Sequence, residues 1–194
     1  MLELDRIRRE ITADPSNAWA ASAGFEPVYV AHPEARCLII GQAPGIRAQQ
    51  SGIPWNDASG RRLVEWLGVD ERTFRDPTAF AILPMDFYYP GKGATGDLPP
   101  RADFAPIWHP RLLELMPQIG LTLLVGDYAQ RHYLDGKSSL TERVRSFRDF
   151  LPDRFPLVHP SPLNFRWQSR NPWFVSDVLP ELRTRVAEAL SGRP

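Results

Sequence analysis

The chain has 194 residues, of which 43% are hydrophobic and 24% charged, an ordinary composition for a soluble globular protein. Its 23 basic and 23 acidic residues cancel, so bulk charge does not indicate a nucleic-acid-binding protein. No apolar run approaches the ~18 residues of a membrane span, and the N-terminus lacks a hydrophobic signal core. The single cysteine, Cys37, excludes an intramolecular disulfide and a cysteine-only metal or iron–sulfur site. We expect one cytoplasmic domain over residues 1–194, without a membrane partner.

Apolar spacing and capping residues predict helices that alternate with four short buried strands. The predicted helices cover residues 4–11, 17–23, 57–67, 104–116, a segment capped by Asp127, residues 139–147, and a final helix. The final helix opens at Asn171-Pro172 and is expected to kink or split at Pro180. The predicted strands cover residues 36–41, 80–83, 121–126 and 155–158.

The four strands are continuous rather than alternating apolar runs, which indicates a sheet buried on both faces. With right-handed crossovers, this pattern predicts an α/β protein, a three-layer α/β/α sandwich with a four-stranded mainly parallel sheet. In such folds the ligand site lies past the carboxyl ends of the strands. Three long loops start there, at residues 42–56, 85–101 and 159–170, so we expect them to form one site.

The segment after the last strand, Val158-His159-Pro160-Ser161-Pro162-Leu163-Asn164, carries the strongest local signal. Each proline fixes its own φ and biases the residue before it away from helix, which predicts a rigid loop. His159 lies at the base of this loop. Leu163 is expected near its exposed tip, where an apolar side chain can act as a wedge between stacked bases.

The segment after the first strand is Gly41-Gln42-Ala43-Pro44-Gly45. Its glycines allow main-chain N–H groups to approach a ligand closely. It is neither a Walker loop nor a Rossmann fingerprint, and taken alone it is equally compatible with a plain strand-to-helix turn. Local charge adds to the signal, because residues 36–62 hold four arginines against one acid, Asp57, and residues 159–172 hold Arg166 and Arg170 with no acid.

The two loops together resemble the motifs of the uracil-DNA glycosylase superfamily. His159-Pro160-Ser161-Pro162-Leu163 matches that family's second motif residue for residue. Gly41-Gln42-Ala43-Pro44-Gly45 is most similar to the Gly-Glu-Ala-Pro-Gly first motif of its iron–sulfur branch, and the similarity continues through residues 52–61. Motif order and predicted fold agree over about residues 36 to 185.

The resemblance implies a DNA glycosylase, with DNA carrying a damaged or deaminated base as its partner. Trp55 would stack on the extruded base, and His159 would stabilise the charge that develops on it. Leu163 would fill the vacated space in the helix. The remaining implied contacts are, for the base, Gly41, Ala43 and Met85, and for the DNA strand, Pro44, Gly45, Ser161, Pro162, Asn164, Arg166 and Arg170.

Three positions depart from the family pattern. Ala43 stands where many members carry a water-orienting aspartate; Gln42 is an amide that at best positions water, and Asp57 and Asp86 are the nearest other carboxylates. The cluster-binding cysteines are absent, so neither a cofactor nor a metal is expected. Asp86 stands near the position of a base-reading asparagine. Because a carboxylate only accepts hydrogen bonds, we expect Asp86 either to shift preference away from plain uracil or to require a raised pKa.

Two other functions remain open at this point. The same fold could grip damaged or single-stranded DNA without efficient cleavage, which Ala43 favours. Alternatively, an unrelated small-molecule α/β enzyme could use residues 86–100 as a substrate lid, which the zero net charge favours. By resemblance to small enzymes of this kind, the protein is expected to be a monomer.

Overall fold

The computed structural model describes residues 2–192, so Met1, Arg193 and Pro194 of the predicted domain lie outside it. A four-stranded sheet forms its centre. The strands are β1 (Cys37–Ile40), β2 (Phe80–Ile82), β3 (Leu121–Val125) and β4 (Arg154–Leu157). Their order is β2-β1-β3-β4, and each neighbouring pair is parallel. The predicted α/β class and parallel sheet are therefore confirmed.

The helices lie in the connections between strands and at both ends of the chain. They are α1 (Leu2–Ala13), α2 (Ala18–Ser22), α3 (Ile46–Ser51), α4 (Ala58–Leu67), α5 (Glu71–Arg75), α6 (Phe104–Leu113), α7 (Asp127–Tyr133), α8 (Leu140–Arg145), α9 (Phe165–Arg170) and α10 (Leu179–Leu190). Short 3-10 turns cover Pro15–Asn17, Phe147–Phe150 and Pro162–Asn164, and a π-helical turn covers Phe174–Val178. None of the helices within residues 2–192 is long and apolar enough to cross a membrane.

The sheet is buried on both faces, as its continuous apolar strands predict. Side chains alternate along β1, so that Leu38 and Ile40 pack with α1 and α6, whereas Cys37 and Ile39 pack with α4 and α10. Each face thus carries its own apolar layer beneath helices. This arrangement confirms the three-layer sandwich.

Of the predicted capping residues, Asp57 acts as expected and Asp127 does not. Asp57 caps α4 by accepting a hydrogen bond from the Gly60 N–H (2.9 Å). Ser139 forms a reciprocal capping box with Glu142 at the start of α8. The expectation for Asp127 was wrong: Gly126 precedes α7, and Asp127 is its first residue. The Asp127 carboxylate pairs instead with Arg143, 2.5 Å away.

The boundaries of three segments need correction. The predicted loops at residues 42–56 and 159–170 contain α3 and α9, respectively. Helix α9 buries no residue, so it has no apolar stripe that a sequence pattern could reveal. In the final segment the π-helical turn precedes α10, and Pro180 lies in the first turn of α10. The segment thus changes from π-helical to α-helical at Leu179, next to Pro180, and stays helical on both sides of that change.

Candidate active site

A cavity of about 440 Å³ opens at the carboxyl edge of the sheet, where the three predicted loops meet. Its lining residues come from both motifs, from the loop before α4, and from the long connection after β2. They are Val28, Gly41, Gln42, Ala43, Pro44, Gly45, Ala48, Pro54, Trp55, Asp57, Ser59, Ile82, Pro84, Pro90, Gly96, Asp97, His159 and Ser161. The three loops therefore meet at one cavity, as predicted.

Main-chain hydrogen bonds fix the first motif against the segment that follows β2. The Met85 N–H donates to the Gly41 carbonyl (2.8 Å), and the Asp86 N–H donates to the Gln42 carbonyl (3.2 Å). These bonds continue the β1–β2 pairing beyond the strands. They hold Pro84 in place in the cavity wall.

Trp55 is held in an unusual backbone conformation above Gly41. Its φ of 57° is the one positive value for a non-glycine among residues 2–192. Arg75 stabilises this conformation by donating to the carbonyls of Pro54 (2.5 Å) and Trp55 (3.5 Å). A Cβ placed on Gly41 would come 3.0 Å from the indole Cζ2, so the glycine allows the ring to lie directly on the first motif.

His159 lies beside this indole, with ring centroids 5.6 Å apart and the planes tilted by 34°. The loop that carries it is closed by Asn164, whose Nδ2 donates to the His159 carbonyl (2.8 Å). Burial lowers the pKa of His159 below its ordinary value, and the negative charge of Asp57 opposes that shift. The imidazole is therefore neutral at pH 7 and can donate one N–H without bringing a positive charge.

Ser161 lines the cavity, and the residues that follow Ser161 form the outer rim of the cavity. The Ser161 hydroxyl accepts from the Leu163 N–H (3.2 Å), and Arg62 donates to the Ser161 carbonyl (3.4 Å). Leu163 is 84% exposed, as predicted for a loop tip. The neighbouring Pro162 and the α9 arginines, Arg166 and Arg170, are also exposed outside the cavity.

The predicted base-reading pair Met85 and Asp86 does not line the cavity, which corrects that expectation. Met85 packs into the apolar layer beneath α1 and α6. Asp86 is 1% exposed, and its carboxylate accepts from Arg101 at Nε (2.7 Å) and Nη2 (2.8 Å). The arginine supplies the charge compensation that a buried carboxylate requires, and thereby fixes Asp86 on the core side of the chain.

The predicted loop at residues 85–101 contributes a segment that borders the cavity, residues 91–98, here called the tongue. The Gly93 N–H donates to Gly96 O (2.7 Å), and the Leu98 N–H donates to Gly91 O (2.9 Å), which folds the tongue into a narrow hairpin. Gln42 ties it to the first motif, because its Nε2 donates to Leu98 O (3.1 Å). Asp97 of the tongue lines the cavity. The clustered glycines signal a turn, but nothing in the sequence places Asp97 at the site.

A second missed residue acts behind the cavity wall. His109 is 1% exposed and bridges the Pro84 carbonyl (3.0 Å) and the Tyr133 hydroxyl (2.6 Å). Since a carbonyl only accepts, Nε2 of His109 carries the proton and Nδ1 accepts from Tyr133. Burial lowers the pKa of His109 to about 4, so this bridge stays neutral and intact at pH 7. No group of three or more potential metal ligands lies together within residues 2–192.

The chain is an α/β/α sandwich protein with its cavity at the carboxyl edge of a parallel sheet, which is where proteins of this fold class bind ligands. The sequence model of the Uracil DNA glycosylase superfamily matches residues 27–183. The chain therefore belongs to this superfamily, whose members are usually DNA glycosylases that act on DNA. This finding confirms the resemblance and removes the alternative of an unrelated small-molecule enzyme.

Proposed function

We propose that the protein is a monofunctional DNA glycosylase that hydrolyses the N-glycosidic bond of a flipped-out deaminated base in base excision repair. Uracil is the default substrate, and hypoxanthine and related bases are the alternatives. The observation that carries this proposal is the pairing of Trp55 with a neutral His159 in one cavity of about 440 Å³. The Trp55 indole is suited to stack on a base, and the His159 imidazole is suited to stabilise that base as a leaving group.

Trp55 provides the stacking surface for the extruded base. Its carbonyl is held by Arg75, and its ring contacts Gly41, so the indole has little freedom to change its position in the cavity wall. Stacking of a base on an aromatic side chain contributes about 1–3 kcal/mol. Much of the cost of unpairing a damaged base can be offset in this way.

His159 stabilises the leaving group. As the bond between C1′ and the base nitrogen lengthens, negative charge develops on a base carbonyl. A neutral imidazole N–H can donate to that oxygen and binds it more strongly as the charge grows, which favours the transition state over the ground state. Because burial favours the neutral imidazole, His159 acts at neutral pH as a hydrogen-bond donor and not as an imidazolium acid.

The exposed rim is suited to the DNA strand. Leu163 is the wedge that fills the space left by the base. Pro44, Gly45 and Ser161 line the cavity, and Pro162 and Asn164 follow in the loop that forms its rim, so these residues would contact sugar and phosphate. Arg166 and Arg170 on α9 add salt-dependent attraction to phosphates.

A second function, damaged-DNA binding without efficient cleavage, is favoured by one observation. Ala43 of the first motif presents only a methyl group to the cavity. The adjacent Gln42 has its amide nitrogen engaged with Leu98 O, which leaves only its weakly basic oxygen for a water molecule. In this alternative Trp55 and Leu163 would still extrude and hold the base.

The test uses labelled oligonucleotides that carry uracil, hypoxanthine, xanthine or a mismatch, incubated with the protein and then treated with alkali to break abasic sites. We expect strand breaks at one or more deaminated bases and a loss of about 100-fold or more in His159→Ala, since one donor to a developing oxyanion is worth this much. Gel-shift retention of the same oligonucleotides without breaks would establish the binding alternative. Neither breaks nor retention would refute both.

A further inference from the structure

Hydrolysis requires a group that takes a proton from the attacking water, and the cavity lining offers few candidates. Its ionisable side chains are Asp57, Asp97 and His159. His159 is a hydrogen-bond donor to the leaving base in the proposed function, so it cannot also be the base for water. The choice therefore lies between two carboxylates.

Asp57 has another task. Its Oδ1 accepts the Gly60 N–H at the start of α4, and its charge acts on the pKa of His159. It thus lies on the histidine side of the cavity, where the leaving base is bound. A water molecule attacking C1′ must approach from the face of the sugar opposite to the leaving base.

Asp97 reaches the cavity from the tongue, on the side of the first motif. Leu98, its neighbour in the chain, is bound through its carbonyl to Gln42 Nε2 (3.1 Å), and Gln42 is adjacent to Ala43. The tongue hairpin and the contact between Lys92 and Asp97 fix this approach. Asp97 is thus an acidic residue of the cavity lining next to the first motif, where Gln42 offers an amide and Ala43 a methyl group.

The contacts of Asp97 leave one carboxylate oxygen available. The Tyr89 hydroxyl donates to Oδ1 (3.3 Å), and Lys92 Nζ lies 3.7 Å from the same atom. Burial and the Asp97 charge raise the pKa of Tyr89, so Tyr89 remains a donor that orients the carboxylate. No hydrogen bond to Oδ2 is made from any of residues 2–192, and this atom can accept one from water.

We propose that Asp97 is a further catalytic residue, the general base that activates the attacking water; this inference rests on the proposed glycosylase function. Oδ2 accepts a proton as the water oxygen bonds to C1′. The C1′–N bond breaks, and its electron pair leaves with the base, whose carbonyl is hydrogen-bonded by His159. The products are an abasic site with a C1′ hydroxyl, the base as its anion, which the His159 N–H still hydrogen-bonds, and a protonated Asp97; the anion takes up a proton from solvent after release. A negative carboxylate also stabilises the positive charge that the sugar carries in the transition state.

Single-turnover excision and DNA affinity, measured separately, test this role. Asp97→Asn is expected to lower the excision rate on the best substrate by about 100-fold or more. DNA affinity should be unchanged or tighter, because the substitution removes a charge that repels phosphates. A positioning or folding defect would instead weaken both. In Asp97→Ala, added formate should restore part of the lost rate by supplying a carboxylate in the vacated space.

The matched control is Asp57→Asn, which retains a side chain that caps helices well. We expect it to lose less activity than Asp97→Asn and to gain nothing from formate. If Asp97→Asn excises at the wild-type rate, or if Asp57→Asn alone loses the activity, Asp97 is not the base. If the wild-type protein leaves no strand breaks, the proposed glycosylase function is refuted. If the wild type is active and Asp97→Asn is equally active, only the role of Asp97 is refuted.

Discussion

Asp86 shows how much a single side chain depends on a partner that is distant in sequence. Next to β2 it stands at a position suited to reading a base, but Arg101, fifteen residues further along the chain, binds its carboxylate through two nitrogens. Arg101 is in turn held by Asn17 (2.7 Å) before α2. The network joins the long connection after β2 to the N-terminal helices, so the contacts of Asp86 are those of a residue that supports the fold.

Asp86→Asn should therefore destabilise the protein without changing which base it excises. Loss of the charge leaves the half-buried Arg101 without its anionic partner. We expect a cost of about 2–3 kcal/mol, less than for a fully buried pair because the Arg101 side chain is 28% exposed. Urea unfolding measures this cost, and Asp149→Asn on the surface is the control. If Asp86→Asn changes the order in which the protein prefers the deaminated bases of the oligonucleotide panel, Asp86 takes part in base recognition after all.

At the scale of elements, the first turn of α4 serves as the support for Trp55. Gly60 lies in that turn, and a Cβ there would come 1.8 Å from the Trp55 carbonyl oxygen. The helix, its Asp57 cap and the strained Trp55 backbone thus form one unit, in which a movement of the helix start displaces the stacking ring.

Gly60→Ala should reduce excision by moving Trp55, and a double-mutant cycle separates this effect from general damage. We expect Gly60→Ala to lower the excision rate by about 10-fold or more in the wild-type background, and by clearly less when Trp55→Ala has already removed the ring. Gly120→Ala is the matched control, because a Cβ there meets nothing within 4 Å. Equal losses in both backgrounds would show that Gly60 does not act through Trp55.

The elements also show why sequence reasoning identified part of the site and missed the rest. Buried strands and capped helices carry local patterns, so β1–β4 and the motifs that follow β1 and β4 could be predicted. Asp97 and His109 could not, because their places depend on hydrogen bonds from Gln42 to the neighbouring Leu98 carbonyl and from His109 to the Pro84 carbonyl, which only the folded chain creates. The short helices α3 and α9 lack an apolar stripe and left no pattern to detect.

For the whole molecule, a net charge of zero coexists with a proposed DNA-binding surface. The cavity lining holds two carboxylates and no lysine or arginine, so attraction to phosphates must come from outside it. Arg62 and the exposed arginines of α9, Arg166 and Arg170, lie on the rim beside Ser161 and Leu163. Affinity should accordingly depend on a few local cations rather than on bulk charge.

Arg166→Ala is then expected to weaken DNA binding and to make it less sensitive to salt. Loss of one phosphate contact should reduce the slope of log affinity against log salt concentration by about 0.9 on duplex and about 0.7 on single-stranded DNA. Fluorescence anisotropy at several salt concentrations measures the slope on both substrates. Arg148→Ala is the control, since this exposed arginine lies in the turn before β4, at the opposite edge of the sheet. Counterions are released only where a cation contacts the DNA. An unchanged slope in Arg166→Ala, or an equal change in Arg148→Ala, would therefore show that α9 does not contact the DNA.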